Sequence, residues 1–311
     1  MTTYHVPVLG PESVAALDIQ PEGVYVDATF GGGGHSRLIL EKLGPKGRLL
    51  AFDQDEDALH NVPEDERLLF CPANFRYLRR YMRYHGIEAV DGILADLGVS
   101  SHQLDEAERG FSYRFDAPLD MRMNRREGPT AADLLNTLEE KEIQDLLSRY
   151  GEVRNARTVA RRLVEARERK PITTTGELVA LLEPLVRGHK PRYLSQVFQA
   201  LRIAVNRELE VLEEFLQESL EALRPGGRLV VITYHSLEDR LVKRFMRTGN
   251  VRGEEVRDFY GNLVRAIRPV TKKPVEPSPE EIAANPRARS ARLRVGERVL
   301  ERKGEEEEPG E

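Results

Sequence analysis

The sequence predicts an α/β fold: a doubly wound, mostly parallel sheet carrying an inserted all-helical subdomain. Three observations lead there. Over roughly the first hundred residues, short apolar β-branched runs alternate with amphipathic helical stretches. From about Ser101 to Arg207 the alternation lapses and only helical periodicity remains. It resumes at LRPGGRLVVITYHS, a helix end, a Pro-Gly-Gly turn and a buried strand.

Taken in order, YHVPVL leads into a short helical pattern, GPESVAALDI. The first strand, from Val24 to Asp27, gives way to four glycines, Gly31 to Gly34, and then to the amphipathic HSRLILEKL, which stops at Gly44-Pro45. Strand two covers Arg48 to Asp53 and is followed by the helix-like DEDALHNV. Strand three covers Arg67 to Cys71, with Asn74-Phe75 just past it. RYLRRYMRYHG is amphipathic and ends at Gly86; strand four runs from Val90 to Leu97. The helical stretch reads as four segments, 131–151, 156–169, 174–186 and 193–223. Thr130 or Asp133 and Thr174 fit helix starts, and Gly151 and Gly188 fit stops. Strand five is Arg228 to Thr233, and a last antiparallel pair lies around Leu263 to Pro269 and Ala291 to Val295, joined by a long polar loop. The chain therefore divides into a first sheet part (1–103), an insert (104–207), a second sheet part (208–303) and a disordered acidic tail (304–311). The insert leaves the carboxyl edge of the sheet beside Asp96, where it is expected to form the far wall of a site.

Composition narrows the class. No apolar run among the 311 residues reaches membrane-spanning length, and MTTYHVPVLG has neither the basic start nor the apolar stretch of a signal peptide. A single cysteine, Cys71, excludes an internal disulfide and a cysteine metal cluster, so a soluble cytoplasmic protein is expected. The net charge of −5 means that any nucleic-acid binding must come from local basic patches. No residue spacing demands a metal. Abundant Arg and Glu with no Trp hint at a thermophilic source.

VYVDATFGGGGHS reads as strand, glycine turn and helix start, where bare backbone and unpaired N–H groups admit a ligand. Asp53 follows about 20 residues later, the spacing at which a carboxylate hydrogen-bonds ribose hydroxyls. A dinucleotide fingerprint would place its third glycine where Ser36 stands, and a phosphate-binding loop would need a lysine that is absent. A nucleoside without a pyrophosphate fits better, and S-adenosyl-L-methionine has that chemistry; an ordinary tight turn is the plainer alternative. Asp27 at the end of strand one suits either the amino end of methionine or a capping carboxylate for the loop.

HVPVL, DATFGGGGHS, DQD, ADLGVSSHQLDEAERGFSYRFDAPLDMRM, RYGEVRNARTVAR, QALRIAVN, LRPGGRLVVITYHSLEDR and NPRARSARLR follow one another in this order. Together they resemble the bacterial ribosomal RNA small subunit methyltransferase H family, also called MraW, over nearly the whole chain. The resemblance implies a class I (Rossmann-like) methyltransferase sheet and methylation of the N4 amine of a cytidine in the decoding region of 16S ribosomal RNA. It implies cofactor contacts from Gly33, Gly34 and His35, ribose binding by Asp53, and a pocket completed by Phe75, Asp96 and Gln103. The residues agree in part. Phe75 follows strand three, where a ring packs on adenine or merely fills the core; Asp96 ends strand four at the expected cleft; Gln103 alone would read as an exposed polar residue.

Cytosine N4 is a poor nucleophile because its lone pair is delocalised, so hydrogen-bond acceptors that localise it are sought. Many amino-methyltransferases carry Asp/Asn-Pro-Pro-aromatic after strand four, whereas here Asp96-Leu97-Gly98-Val99 keeps only the carboxylate. The stacking ring must come from elsewhere, with Phe111, Tyr113, Phe115 and Tyr234 as candidates. His235, after strand five, is a second catalytic candidate or a structural loop histidine. For RNA, Arg149, Arg154, Arg157, Arg161, Arg162, Arg167, Arg169 and Lys170 form a basic run with Tyr150 and Asn155 beside it; Arg287, Arg289, Arg292 and Arg294 form another. The expected partner is 16S ribosomal RNA within the small subunit, with the base flipped out, and neither DNA nor membrane. The competing readings are a methyltransferase for a protein or small-molecule amine, and a non-catalytic ribosome assembly factor.

Overall fold

The computed structural model describes residues 7–299; residues 4–6 of the opening YHVPVL run and the acidic tail 304–311 lie outside the described residues. In chain order the elements begin α1 (Gly10–Leu17), β1 (Val24–Asp27), α2 (Gly34–Lys42), β2 (Arg48–Phe52), β3 (Leu68–Cys71), α3 (Leu78–Tyr84) and β4 (Val90–Asp96). Helices follow: α4 (Ser101–Asp105), α5 (Ala131–Thr137), α6 (Glu140–Gly151), α7 (Ala156–Arg167), α8 (Thr175–Leu182), α9 (Lys190–Asn206) and α10 (Glu208–Ala222). The last elements are β5 (Leu223–Thr233), α11 (Ser236–Thr248), β6 (Val256–Arg257), β7 (Leu263–Val264), β8 (Ile267–Pro269), α12 (Pro279–Ala284) and β9 (Arg292–Arg298). The chain forms two compact units. One takes 58–97 and the described parts of 1–53 and 213–311; the other takes 54–57 and 98–212.

The first unit holds a seven-stranded sheet in the order β3-β2-β1-β4-β5-β9-β8. Strands β1 to β5 pair in parallel, and β9 and β8 close one edge antiparallel. This is the Rossmann-like sheet expected from the alternating runs. Strands such as β2 are apolar and buried along almost their whole length, as in a sheet covered on both faces. Leu9, Leu17, Tyr25, Ile39, Leu49, Leu94, Val230 and Leu293 share one core cluster.

Strand five starts earlier than its β-branched run suggested. Leu223 pairs with Val90 and Arg228 with Gly92, so Arg224-Pro225-Gly226-Gly227 bulges opposite Asp91 inside the strand. Gly226, at φ 84°, makes that bulge possible. The last pair is antiparallel as expected, but only Ile267–Pro269 of its first run joins β9; Leu263–Val264 pairs with β6 in a separate two-stranded sheet, and the connection contains α12.

The second unit has its own core, including Leu135, Leu147, Val159, Leu163, Leu178, Val197 and Leu201. Thr130 and Thr174 cap α5 and α8 with reciprocal bonds to Asp133 and Glu177. The segment 131–151 is two helices, because Glu139 caps a new one with Glu142. The segment 193–223 also divides, at Arg207 in the left-handed region (φ 51°). DEDALHNV forms a 3-10 turn, Glu56–Asn61. Gly151 does not end α6 by adopting a positive φ; Glu152 does, at φ 52°. Gly151 is needed for close approach, since a Cβ there would stand 2.6 Å from the carbonyl oxygen of Gln196.

Candidate active site

The site is built from the carboxyl ends of the first unit's strands. After β1, Gly31 and Gly33 take φ 52° and 74°, conformations that suit glycine, and α2 starts at Gly34. A Cβ on Gly33 would lie 2.8 Å from the Phe30 ring, whereas one on Gly32 would meet nothing within 4 Å. The turn is therefore tight beneath and open at its crest. Asp53, just past β2, accepts the Gly31 N–H at 2.7 Å. The acidic residue and the glycine turn, 22 positions apart in sequence, are thus brought together.

Asp27 is fully buried and committed. One oxygen accepts the Thr29 N–H at 3.1 Å and the other the Ser36 hydroxyl at 2.7 Å. Of the two readings for Asp27, the structure displays the loop-capping one. Ser36, in the position where a dinucleotide fingerprint would have glycine, ties the helix start to β1. Burial raises the Asp27 carboxyl above the usual range, with His35 and Ser36 opposing.

Asp96 ends β4, where its N–H donates to the Thr29 hydroxyl at 2.7 Å. One side-chain oxygen accepts the Tyr234 phenol at 2.8 Å, and the other lies 3.9 Å from His35 Nδ1. His35 is buried, and its Nε2–H donates to the Val8 carbonyl at 3.1 Å, leaving Nδ1 toward Asp96. Although 22% of the Asp96 side chain stays accessible, desolvation pushes its carboxyl up to about 6. The nearby His35 ring and the Tyr234 bond oppose that rise, while Asp27 and Glu238 add to it. The same cluster drives the Tyr234 phenol upward, chiefly by burial and then by the Asp96 charge, so it stays a donor. Burial, a phenol donor and a neighbouring imidazole thus meet at one carboxylate beside the glycine turn, the kind of perturbed titration that clusters at functional sites.

Phe75 begins a short 3-10 turn after β3, capped by Asn74, and its half-buried ring packs edge-on against Phe215 at 4.8 Å between centroids. His235 caps α11: its Nδ1 accepts the Glu238 N–H at 3.5 Å, and its Nε2 stands 3.0 Å from Glu238 Oε1 without hydrogen-bond alignment. Sequence left His235 open between catalytic and structural roles, and its Nδ1 has a structural one.

Gln103 lies in the second unit, on α4. Contrary to its plain reading as an exposed polar residue, it is 6% exposed. Its amide donates to Asp55 at 2.7 Å and its carbonyl oxygen accepts the Ser100 N–H. Asp55 also pairs at 2.7 Å with Arg109, whose side chain is 1% exposed and reaches Asp57 and the carbonyls of Arg122 and Met123. Of the four stacking candidates, Phe111 is in the second unit's core and Tyr113 packs on Phe198, while Phe115 stays 47% exposed. The fourth, Tyr234, holds Asp96 through its hydroxyl.

The basic run is sorted by α7. Val159, Ala160 and Leu163 are buried, while Arg154, Arg157, Arg161 and Arg162 are exposed. Arg167 turns inward to the Leu135 and Leu138 carbonyls. Tyr150 bonds Glu210 and Asn155 bonds Leu185 and Tyr193, so these two serve packing rather than an outward-facing surface. In the second basic set, Arg294 is 7% exposed and forks onto Asp239 at 2.7 and 3.1 Å.

A family model for the MraW methylase family matches residues 2–299. The chain belongs to the MraW methylase family. It is thereby a methyltransferase, with S-adenosyl-L-methionine as methyl donor. Ribosomal RNA small subunit methyltransferase H of Bacteroides fragilis (strain YCH46) is 57% identical over 298 residues, covering 96% of this chain and 98% of that protein. The protein of the same name from Flavobacterium johnsoniae is 54% identical over 303 residues, covering 96% of this chain and all of its own length. A crystal structure of an rRNA methylase from Streptococcus thermophilus covers 96% of this chain and 99% of its own, at 14% identity and a TM-score of 0.42. That likeness is too remote to bear on the site. In this family member, Thr29, Ser36 and the Tyr234 hydroxyl were not picked out as site-building groups from sequence. The signal available was small polar residues flanking a glycine turn and an aromatic one step past a strand.

Proposed function

We propose that this chain transfers a methyl group from S-adenosyl-L-methionine to the N4 amine of a cytidine in the decoding region of 16S ribosomal RNA, within the small ribosomal subunit in the cytoplasm. The observation that carries the reading is Asp96, a carboxylate near neutrality held from both sides at the end of β4. The donor supplies an electrophilic methyl group on a sulfonium. The chain's residues do the rest. The glycine turn at Gly33, Gly34 and His35 offers backbone to the cofactor, Asp53 exchanges its Gly31 N–H for ribose hydroxyls, and Phe75 lends a ring face to adenine. Gln103, held by Asp55 within its own unit, is the further cofactor residue that the family resemblance implies.

For the acceptor, ionised Asp96 accepts an N4 hydrogen, localises the nitrogen lone pair and takes up developing positive charge. Tyr234 and Thr29 fix where that carboxylate points. His235, its Nδ1 held by the helix cap and its Nε2 buried beside Glu238, is the second catalytic candidate. The exposed arginines of α7 support a phosphate-rich substrate.

Transfer of labelled methyl to purified small subunits, followed by nucleoside digestion, tests this. Label in N4-methylcytidine is expected; label in protein or another nucleoside would refute it. A protein or small-molecule amine substrate would instead give salt-insensitive transfer. If Asp96→Ala and His235→Ala both kept wild-type single-turnover rates, neither would be a catalytic residue.

A further inference from the structure

The hairpin of β6 and β7 raises two adjacent aromatic rings that no core uses. Phe259 is 97% exposed and Tyr260 84%, with Val256 and Val264 at 56% and 52% on the strands behind them. Large apolar side chains at such exposure add nothing to folding, and two together form a patch of the kind that meets a partner.

The tip is built, not loose. The Asp258 carboxylate accepts the N–H groups of Tyr260 and Asn262 at 2.9 and 2.8 Å and the Asn262 amide at 3.0 Å. Gly261, at φ 82°, closes the turn, and Arg257 donates to the Gly261 carbonyl at 2.9 Å. The rings sit edge to face, 5.5 Å between centroids, each keeping a face outward. At the root, the Arg244 stem lies against Gly253 and Arg265 donates to the Arg247 carbonyl.

The charge around the hairpin is opposite to that of the chain. Residues 240–265 hold seven Arg or Lys and three carboxylates, a local balance of +4 against −5 overall. Asp258 is engaged in the turn, and Glu255 binds Arg257 at 2.8 Å. Lys243, Arg244 and Arg252 are exposed in the same stretch of chain. Rigid aromatic faces within a cationic field are the pairing that binds unpaired bases and their phosphates.

We propose that the Phe259–Tyr260 tip is a ribosomal RNA docking element, stacking on one or two unpaired bases while exposed arginines and the lysine of residues 240–265 take the phosphates. It rests on the ribosomal RNA substrate proposed above and is separate from the α7 arginines.

The test is Phe259→Ala/Tyr260→Ala against Phe259→Trp/Tyr260→Trp, which keeps the stacking faces. Kd for purified small subunits, KM and kcat for methyl transfer, and calorimetric cofactor affinity are measured for each. The alanine pair is expected to raise Kd and KM for subunits about 10- to 100-fold, equivalent to about 1.4–2.7 kcal/mol in all, within the range for loss of one stacked base. Unchanged kcat and cofactor affinity, and wild-type behaviour in the tryptophan pair, complete the expectation. Wild-type subunit affinity in the alanine pair, or equal weakening in both pairs, would overturn it. So would a concentration-dependent dimer lost only in the alanine pair, which would make the tip a contact between copies. If the unmodified enzyme transfers no methyl to subunits, the substrate reading has failed as well; if it does and the alanine pair matches it, only the docking element has.

Discussion

Removing one oxygen at Tyr234 tests the proposed role of Asp96 most directly. The phenol donates to Asp96 at 2.8 Å and holds down a carboxyl that burial has lifted to about 6. A hydrogen bond to a charged group contributes about 1.5–3 kcal/mol, equivalent to about one to two pKa units if it acts on the ionised form alone. Asp96 keeps 22% of its side chain accessible, so water replaces part of that bond in Tyr234→Phe. The Asp96 carboxyl is then expected to titrate about one unit higher. The assay is single-turnover methyl transfer to small subunits from about pH 5 to 9 with both substrates saturating. In the wild type the rate falls as pH drops through about 6, because a protonated Asp96 no longer accepts from N4. In Tyr234→Phe the acid limb moves to about pH 7, while the alkaline plateau changes only a few fold. An acid limb that stays put, or moves to lower pH, would refute the reasoning.

Asp96→Asn is expected to stabilise the fold while abolishing transfer. The native carboxyl titrates at about 6 against an ordinary 3.8, so folding takes up a proton in that window. The stability it contributes is complete below about 3.8 and lost as pH rises through about 6. A shift of about two units, discounted for partial exposure, makes the variant roughly 2 kcal/mol more stable near pH 8 and no more stable near pH 4 by urea unfolding. Arg109→Ala leaves Asp55 buried without its cation and should cost about 3–5 kcal/mol, seen as early unfolding of the helical unit by circular dichroism. Arg154→Glu/Arg157→Glu should weaken subunit binding and flatten the dependence of log K on log salt by about 1.5 to 2, with cofactor affinity intact in calorimetry.

The sheet was legible because β1, β2 and β4 are short apolar runs with a carboxylate at the last position or just past it, and such runs leave few alternatives to a covered parallel strand. The positions of Asp53 and Asp96 followed from that rule alone. Helix breaks were less legible. Glu139 and Arg207 end apolar periodicities without Gly or Pro, through a cap and a left-handed residue that depend on tertiary context. Gly151 looked like a stop but answers to the Gln196 carbonyl 45 residues away, a proximity that no local pattern encodes. Polar residues were hardest to sort. Arg294 reads as part of a surface patch and is a buried partner of Asp239, and His235, which sequence leaves open between catalytic and structural roles, caps a helix through Nδ1. In each case the deciding partner lies on chemistry visible only after folding.

The position of β9 bears on how the enzyme is made. It lies between β5 and β8, so the sheet is finished only by residues 292–298, the last strand in chain order among the described residues. At about 5–20 residues per second, β4 waits for β5 through the synthesis of more than a hundred residues, on the order of ten seconds. During that interval β4 presents an unpaired apolar edge, while the helices of 98–212 can close on contacts within their own segment. A nascent chain stalled before Leu223 would therefore be a client for chaperones, and its helical part would resist protease before its sheet does.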